Sequence, residues 1–227
     1  MENKSPNISV TQIGRYFSAT RRTKENILRA RKNPKANKFL CNRYNTVKAA
    51  AVRYLIDENH DAAIFVKARQ KILEKPINSD WDVNDKKNSI EAINILEKNL
   101  DRFFKPFIKF QSRRCSVSEK AVKLFLVEVG LNPEIILFDK TSEKIIGVIK
   151  LVFTKEYISK QTGEIITTIL RDHLIKIYKE DIVFNNCIVI DVFGKKVYCA
   201  PTGDMLRYYK KILKTTFLEI VEVWDKI

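Results

Sequence analysis

Residues 128–155 read EVGLNPEIILFDKTSEKIIGVIKLVFTK, and this stretch predicts a β-hairpin. The segment 133–138 is an apolar run that follows a proline, and 144–153 is a second, longer apolar run. Between them, the polar residues 139–143 have the composition of a short turn. The sequence therefore predicts two adjacent strands joined at 139–143.

Two ionisable side chains interrupt this apolar pair of strands. Glu134 stands early on the first strand, and Lys150 lies on the second strand, 16 residues later. Because side chains alternate along a strand, Val148 and Lys150 share one face. A lysine among apolar neighbours needs a polar outlet, so Lys150 either reaches solvent along its aliphatic stem or belongs to a site. The spacing places Glu134 and Lys150 on neighbouring strands.

The rest of the chain predicts an α+β protein. Downstream patterns indicate a helix over 163–180, a strand pair at 187–192 and 195–200, and a terminal helix over 202–224. Upstream, the patterns predict a strand at 123–129 and helices over 9–17, 21–32, 46–57, 61–74 and 84–104. We divide the chain into a basic helical region, 1–83, and an α/β core, 84–227, closed by a C-terminal helix.

The positive charge is concentrated near the start of the chain. The net charge is +15, and residues 1–56 hold 13 Lys and Arg against only Glu2 and Glu25, which gives +11. Such a segment attracts polyanions, of which nucleic acid is the commonest. The cationic residues expected to contact nucleic acid are Arg15, Arg21, Arg22, Lys24, Arg29, Arg31, Lys32, Lys35, Lys38 and Arg43.

Composition excludes several other classes. No apolar run approaches the roughly 20 residues that span a bilayer, and the N-terminus lacks the apolar centre of a signal peptide. The four cysteines are scattered without a C-x-x-C pair, and the two histidines do not complete a zinc spacing. We therefore expect a cytoplasmic protein with reduced thiols, no zinc site and no membrane partner.

From residue 84 onward, the predicted order is helix, three strands, helix and strand, followed by an extra strand and the closing helix. This order resembles the αβββαβ core of the PD-(D/E)XK, or restriction-endonuclease-like, nuclease superfamily. Pro133 and Glu134 match the Pro-Asp position of that family, and Lys150 matches the lysine of its acid-x-Lys motif. The helical front is loosely similar to RecB-like members. Tyr178 is present on the following helix, but the glutamine expected one turn earlier is Leu174.

The resemblance implies a metal-dependent phosphodiesterase site from which one carboxylate is missing, since Val148 occupies the acid position. Such sites hold Mg²⁺ or Mn²⁺ through oxygen ligands, and the lysine stabilises the developing charge. Glu134 is then a metal ligand and catalytic residue, and Lys150 is a catalytic residue. Glu128 is the most plausible second ligand, because it interrupts an apolar strand. Glu91, Glu97 and Asp172 are the other candidates.

Three functions remain open at this point. The first is a nucleic-acid-binding protein, with DNA favoured over RNA, whose nuclease-like fold has lost or nearly lost cleavage. The second is an active Mg²⁺- or Mn²⁺-dependent nuclease with a rearranged site. The third is a basic interaction subunit of a defence or mobile-element complex, with protein partners or further copies of itself.

Overall fold

The computed structural model describes residues 5–33 and 43–227. The helices are α1 (Val10–Ser18), α2 (Arg21–Lys32), α3 (Asn45–Ile56), α4 (Ala63–Leu73), α5 (Asp80–Lys98), α6 (Leu100–Phe103), α7 (Lys160–Tyr178) and α8 (Gly203–Lys226). The strands are β1 (Asn7–Ser9), β2 (Gln111–Arg114), β3 (Ala121–Leu124), β4 (Val127–Gly130), β5 (Ile135–Phe138), β6 (Ile145–Val152), β7 (Cys187–Asp191) and β8 (Lys196–Cys199). The α+β class is confirmed.

Local signals in the sequence explain where several helices begin. Ser9 caps α1, since its hydroxyl accepts from the Gln12 backbone N–H and the Gln12 side chain accepts from the Ser9 backbone N–H. The predicted bounds of α2 match the observed ones. Helix α5 begins earlier than predicted, at Asp80, because Ser79 caps it by accepting from the Asp82 N–H at 3.3 Å.

A five-stranded sheet, in the order β2-β5-β6-β7-β8, forms the centre of the fold. Strands β2, β5 and β6 make an antiparallel meander, and the predicted hairpin 133–153 is its second half. Helix α7 then carries the chain to β7, which pairs in parallel with β6, and β8 adds an antiparallel edge. With α5 ahead of β2, the core elements follow the order αβββαβ, and the β3–β4 hairpin is inserted after β2.

Both faces of this sheet are covered, which buries β6 over nearly its whole length. Helices α1, α7 and α8 pack on the face that carries Val148, whereas α3, α4 and α5 cover the face that carries Ile149. Apolar side chains on both faces are typical of a central strand covered by helices. The N-terminal helices therefore contribute to both layers, and the division at residue 83 remains a prediction.

The predicted strand over 123–129 was wrong. The segment is a hairpin, in which β3 and β4 pair antiparallel around Phe125 and Leu126. Strand β4 also pairs in parallel with β1, so these strands form a separate three-stranded sheet, β1-β4-β3. The first strand of the central meander is instead β2, whose Gln-Ser-Arg-Arg sequence lacks an apolar pattern because it lies at the sheet edge with one paired neighbour.

The turn of the β3–β4 hairpin has an unusual sequence for its conformation. Phe125 and Leu126 have φ angles of 46° and 71°, a left-handed conformation that favours Asn and Gly over bulky side chains. Both side chains are also exposed, and the Phe125 ring stacks on Phe217.

Replacing Phe125 by Asn together with Leu126 by Gly is expected to stabilise the protein. Relief of the left-handed strain should outweigh the lost Phe125–Phe217 contact and raise the free energy of unfolding by about 1–2 kcal/mol. Urea unfolding checks this value. Phe125→Ala with Leu126→Ala serves as the control, since it removes the same apolar surface and keeps the strained turn. A double Asn/Gly variant no more stable than the double alanine variant would contradict the prediction.

None of the helices in the described parts of the chain combines the length and apolar character that a membrane crossing requires.

Candidate functional site

Glu134 lies at the start of β5 and is tied to β6. Its backbone N–H donates to the Ile149 carbonyl at 3.0 Å, which extends the β5–β6 ladder by one residue. One carboxylate oxygen accepts from the Leu151 N–H at 2.6 Å, and the other lies 3.1 Å from the Lys48 ammonium on α3. The Glu134 side chain is only 7% exposed. Both oxygens of this buried carboxylate are therefore already engaged.

Lys150 is a buried ammonium held by backbone oxygens. Its Nζ donates to the carbonyls of Leu131 at 2.7 Å and Asn132 at 3.0 Å. Burial lowers the pKa of Lys150, the Lys48 charge adds to that effect, and the Glu134 charge opposes it. Glu134 and Lys150 thus stand on neighbouring strands as the sequence predicted, but Lys150 donates to the segment before β5 and fastens it to β6.

Glu128 does not join them. It lies on β4 in the smaller sheet, opposite Lys123, and is exposed. One Glu128 oxygen accepts from the Asn7 side-chain amide at 3.2 Å. Its strand β4 does not pair with β5, because β2 and β6 are the neighbours of β5 in the central sheet, so Glu128 is not placed beside Glu134 as a second ligand.

The other carboxylates considered as ligands are each paired with a lysine or an arginine, and none of them is paired with Lys150. Glu91 pairs with Lys155, Glu97 with Arg69 and Asp172 with Lys210. Val148, at the position of the missing acid, is fully buried in the core on the α1 and α7 side. Within residues 5–33 and 43–227, no group of three or more His, Cys, Asp or Glu side chains is arranged to hold a metal ion.

A cleft of about 660 Å³ opens above Lys150. Its walls come from the start of α1, the residues around the start of α3, and the end of β6 with the segment that follows it. Its cationic lining residues are Arg15, Arg43, Lys48, Lys150 and Lys155, and its acidic one is Glu156. The chain brings these cations together from segments that are far apart in sequence.

The carboxylates that face these cations differ in exposure. Arg15 pairs with Glu156 at 3.1 Å, and the Glu156 side chain is 86% exposed. Lys155 pairs with the half-exposed Glu91. The partners of Lys48 and Arg43 are instead buried, Glu134 at 3.1 Å and Asp85 at 3.8 Å. An anion entering the cleft can displace the exposed carboxylates, because surface pairs contribute only about 0–1 kcal/mol.

The ten cations expected to contact nucleic acid separate into four sets. Arg15 and Arg43 line the cleft. Arg21, Arg22, Arg29 and Arg31 are exposed on α2. Lys24 and Lys32 fasten α2 to α8, through the Glu219 carboxylate at 3.0 Å and the Trp224 carbonyl at 2.8 Å. Lys35 and Lys38 lie outside the described residues.

Sequence reasoning missed Lys48 and Lys155 as members of the cleft. Lys48 lies in a helical pattern that gives no local sign of its ion pair, since Glu134 is 86 residues away. Lys155 ends the stretch 128–155, and its place after an apolar strand was the available signal. Lys48 could not be assigned to the site before the packing of α3 against the sheet was known.

No family model, curated protein or solved structure matches the chain.

Proposed function

We propose that the protein binds nucleic acid, with DNA as the preferred polymer, through the cleft above Lys150, on a nuclease-like fold that has lost cleavage. The observation that carries this proposal is the convergence of five cations around one cleft. Arginine and lysine side chains are the usual ligands of phosphate groups. The observed αβββαβ order, with Glu134 and Lys150 on adjacent strands, supports the nuclease-like assignment.

The residues present do not fit a Mg²⁺ or Mn²⁺ site. These ions need several oxygen ligands, and carboxylates normally supply the compensating charge. Among the described residues, Glu134 is the carboxylate whose charge acts on Lys150, and its two oxygens are bound to the Leu151 N–H and to Lys48. A divalent cation placed there would also face the Lys48 and Lys150 ammonium groups. We therefore propose binding without hydrolysis.

Binding to DNA is expected to weaken steeply with salt and to depend on the exposed cations of the cleft. Replacing Arg15 and Lys155 together by Ala should weaken binding about tenfold or more and lower the slope of log affinity against log salt by about 1–2. The matched control is Lys140→Ala with Lys144→Ala, two exposed lysines at the opposite end of β6. Fluorescence anisotropy with labelled DNA in EDTA, from about 50 to 200 mM salt, measures both quantities.

One outcome of this titration, and one outcome of a separate cleavage assay without EDTA, would count against the proposal. If the wild-type protein shows no detectable binding at low salt, nucleic-acid binding is excluded as the function, and the protein-interaction subunit is favoured. DNA cleavage in Mg²⁺ or Mn²⁺ that Lys150→Ala abolishes would instead establish an active nuclease with a rearranged site.

Glu156→Gln is expected to tighten DNA binding by up to about fivefold at low salt, because it frees the Arg15 guanidinium from an exposed carboxylate. The anisotropy titration measures the change. Glu222→Gln is the matched control, since it also removes an exposed carboxylate from a surface ion pair, with Lys226 on α8. Equal tightening in both variants would show a general charge effect rather than competition within the cleft.

A further inference from the structure

Tyr157 is a large, exposed aromatic side chain in the segment that follows the cleft-lining residues. It is 72% exposed, and it directly follows Lys155 and Glu156, which line the cleft. Among the described residues, it has no hydrogen bond, ion pair or ring contact. Core packing therefore does not explain this tyrosine.

The segment that presents Tyr157 is fixed on both sides. Before it, the Thr154 hydroxyl donates to the Glu156 carbonyl at 2.7 Å. After it, the Ile158 N–H donates to the buried Asp191 carboxylate at 3.1 Å, and the Ile158 carbonyl accepts from the Tyr198 hydroxyl at 2.7 Å. An aromatic ring on a backbone held in this way costs little conformational entropy when a partner stacks on it.

The aromatic rings that line the cleft are already in contact with other rings. Tyr44 and Phe153 stack on each other, with ring centroids 5.0 Å apart and planes 17° apart. Tyr44 also contacts Phe193 edge-on at 5.9 Å. Among the described residues, Tyr157 is by contrast an exposed ring without a ring contact, and it lies two residues after Lys155 in the chain.

We infer that the cleft takes single-stranded nucleic acid, with phosphates at its cations and one unpaired base stacked on Tyr157. The inference rests on the proposed function and specifies that the bound nucleic acid is single-stranded. A groove of cations with an exposed aromatic platform is the general composition of single-strand sites, since every base has a face that can stack. Within a duplex, those faces are covered by neighbouring base pairs, so Tyr157 offers a duplex no equivalent contact.

The test is anisotropy with three labelled probes of equal length: an oligothymidine strand, the same phosphodiester strand without bases, and a blunt duplex. Tyr157→Ala should weaken binding of oligothymidine at least about fivefold and leave binding of the other two probes unchanged. Tyr157→Phe should keep wild-type affinity, because stacking does not need the hydroxyl. Tyr208→Ala is the matched control, since Tyr208 is another exposed tyrosine, on α8.

The outcomes separate this inference from the proposed function. Oligothymidine binding that is weakened by the Arg15/Lys155 double variant but unchanged in Tyr157→Ala would overturn the inference and leave the proposed function standing. Equal loss of all three probes in Tyr157→Ala would also overturn it, since stacking requires a base. If wild type binds none of the probes at low salt, the proposed function itself fails.

Discussion

Replacing Glu134 by Ala is expected to lower the free energy of unfolding by about 1–3 kcal/mol, which is the usual cost of leaving a buried hydrogen-bond donor without its acceptor. The variant leaves the buried Lys150 ammonium without its nearby opposite charge. It also leaves the Leu151 N–H without its acceptor and removes the partner of Lys48. Urea unfolding at pH 7 measures the change.

The control is Glu128→Ala, which removes an exposed carboxylate of the outlying sheet. We expect it to change the free energy of unfolding by less than about 0.5 kcal/mol. The comparison also distinguishes two roles for Glu134. Where a carboxylate belongs to a cluster of like charges built for a metal, its removal relieves repulsion and stabilises the fold. A Glu134→Ala variant as stable as wild type would therefore contradict the structural ion pair.

A second buried carboxylate, Glu119, should cause the largest change of the free energy of unfolding with pH that we expect in this protein. Its side chain is fully buried and accepts hydrogen bonds from the Arg113 guanidinium, the Tyr178 hydroxyl and the Ser116 N–H. Burial opposes ionisation, but the hydrogen bonds from Arg113, Tyr178 and Ser116 outweigh it and lower the pKa of Glu119 to about 2. The Glu119 carboxylate holds the segment after β2 against α7.

Glu119→Gln should lower the free energy of unfolding at pH 7 by about 3 kcal/mol, since Gln resembles the protonated acid. A pKa that falls on folding stabilises the folded state above the ordinary pKa of 4.5, and this contribution is lost as the pH falls toward 2. The difference between wild type and variant should therefore shrink to about 1.4 kcal/mol at pH 3. Urea unfolding of both proteins at pH 7, 5 and 3 measures this difference.

Glu58→Gln, an exposed substitution of the same chemistry, is the control and should show no such trend. If the difference between wild type and Glu119→Gln were constant from pH 7 to pH 3, the loss would come from packing rather than from the ionised carboxylate.

The elements that sequence analysis identified correctly are those fixed by neighbours along the chain. The β5–β6 hairpin, the capped start of α1 and the full length of α2 follow from apolar periodicity, a short turn and capping side chains. Strand β2 was not predicted because an edge strand with one paired side needs no apolar pattern. The β3–β4 turn was not predicted because Phe-Leu is not a typical turn sequence. Its conformation is held by the pairing of β4 with β1 and by the contact of Phe125 with Phe217.

The candidate site shows the same division. The sequence by itself determined that Glu134 and Lys150 stand on adjacent strands, that an aliphatic residue fills position 148, and that positive charge gathers near the start of the chain. Only the tertiary structure decided that Glu128 lies in another sheet and that Lys48 pairs with Glu134. It also decided that cations from three segments share one cleft. The physical reason is that helix caps and hairpin turns form between residues close in sequence, whereas sheet order and ion pairs between distant residues depend on how whole elements pack.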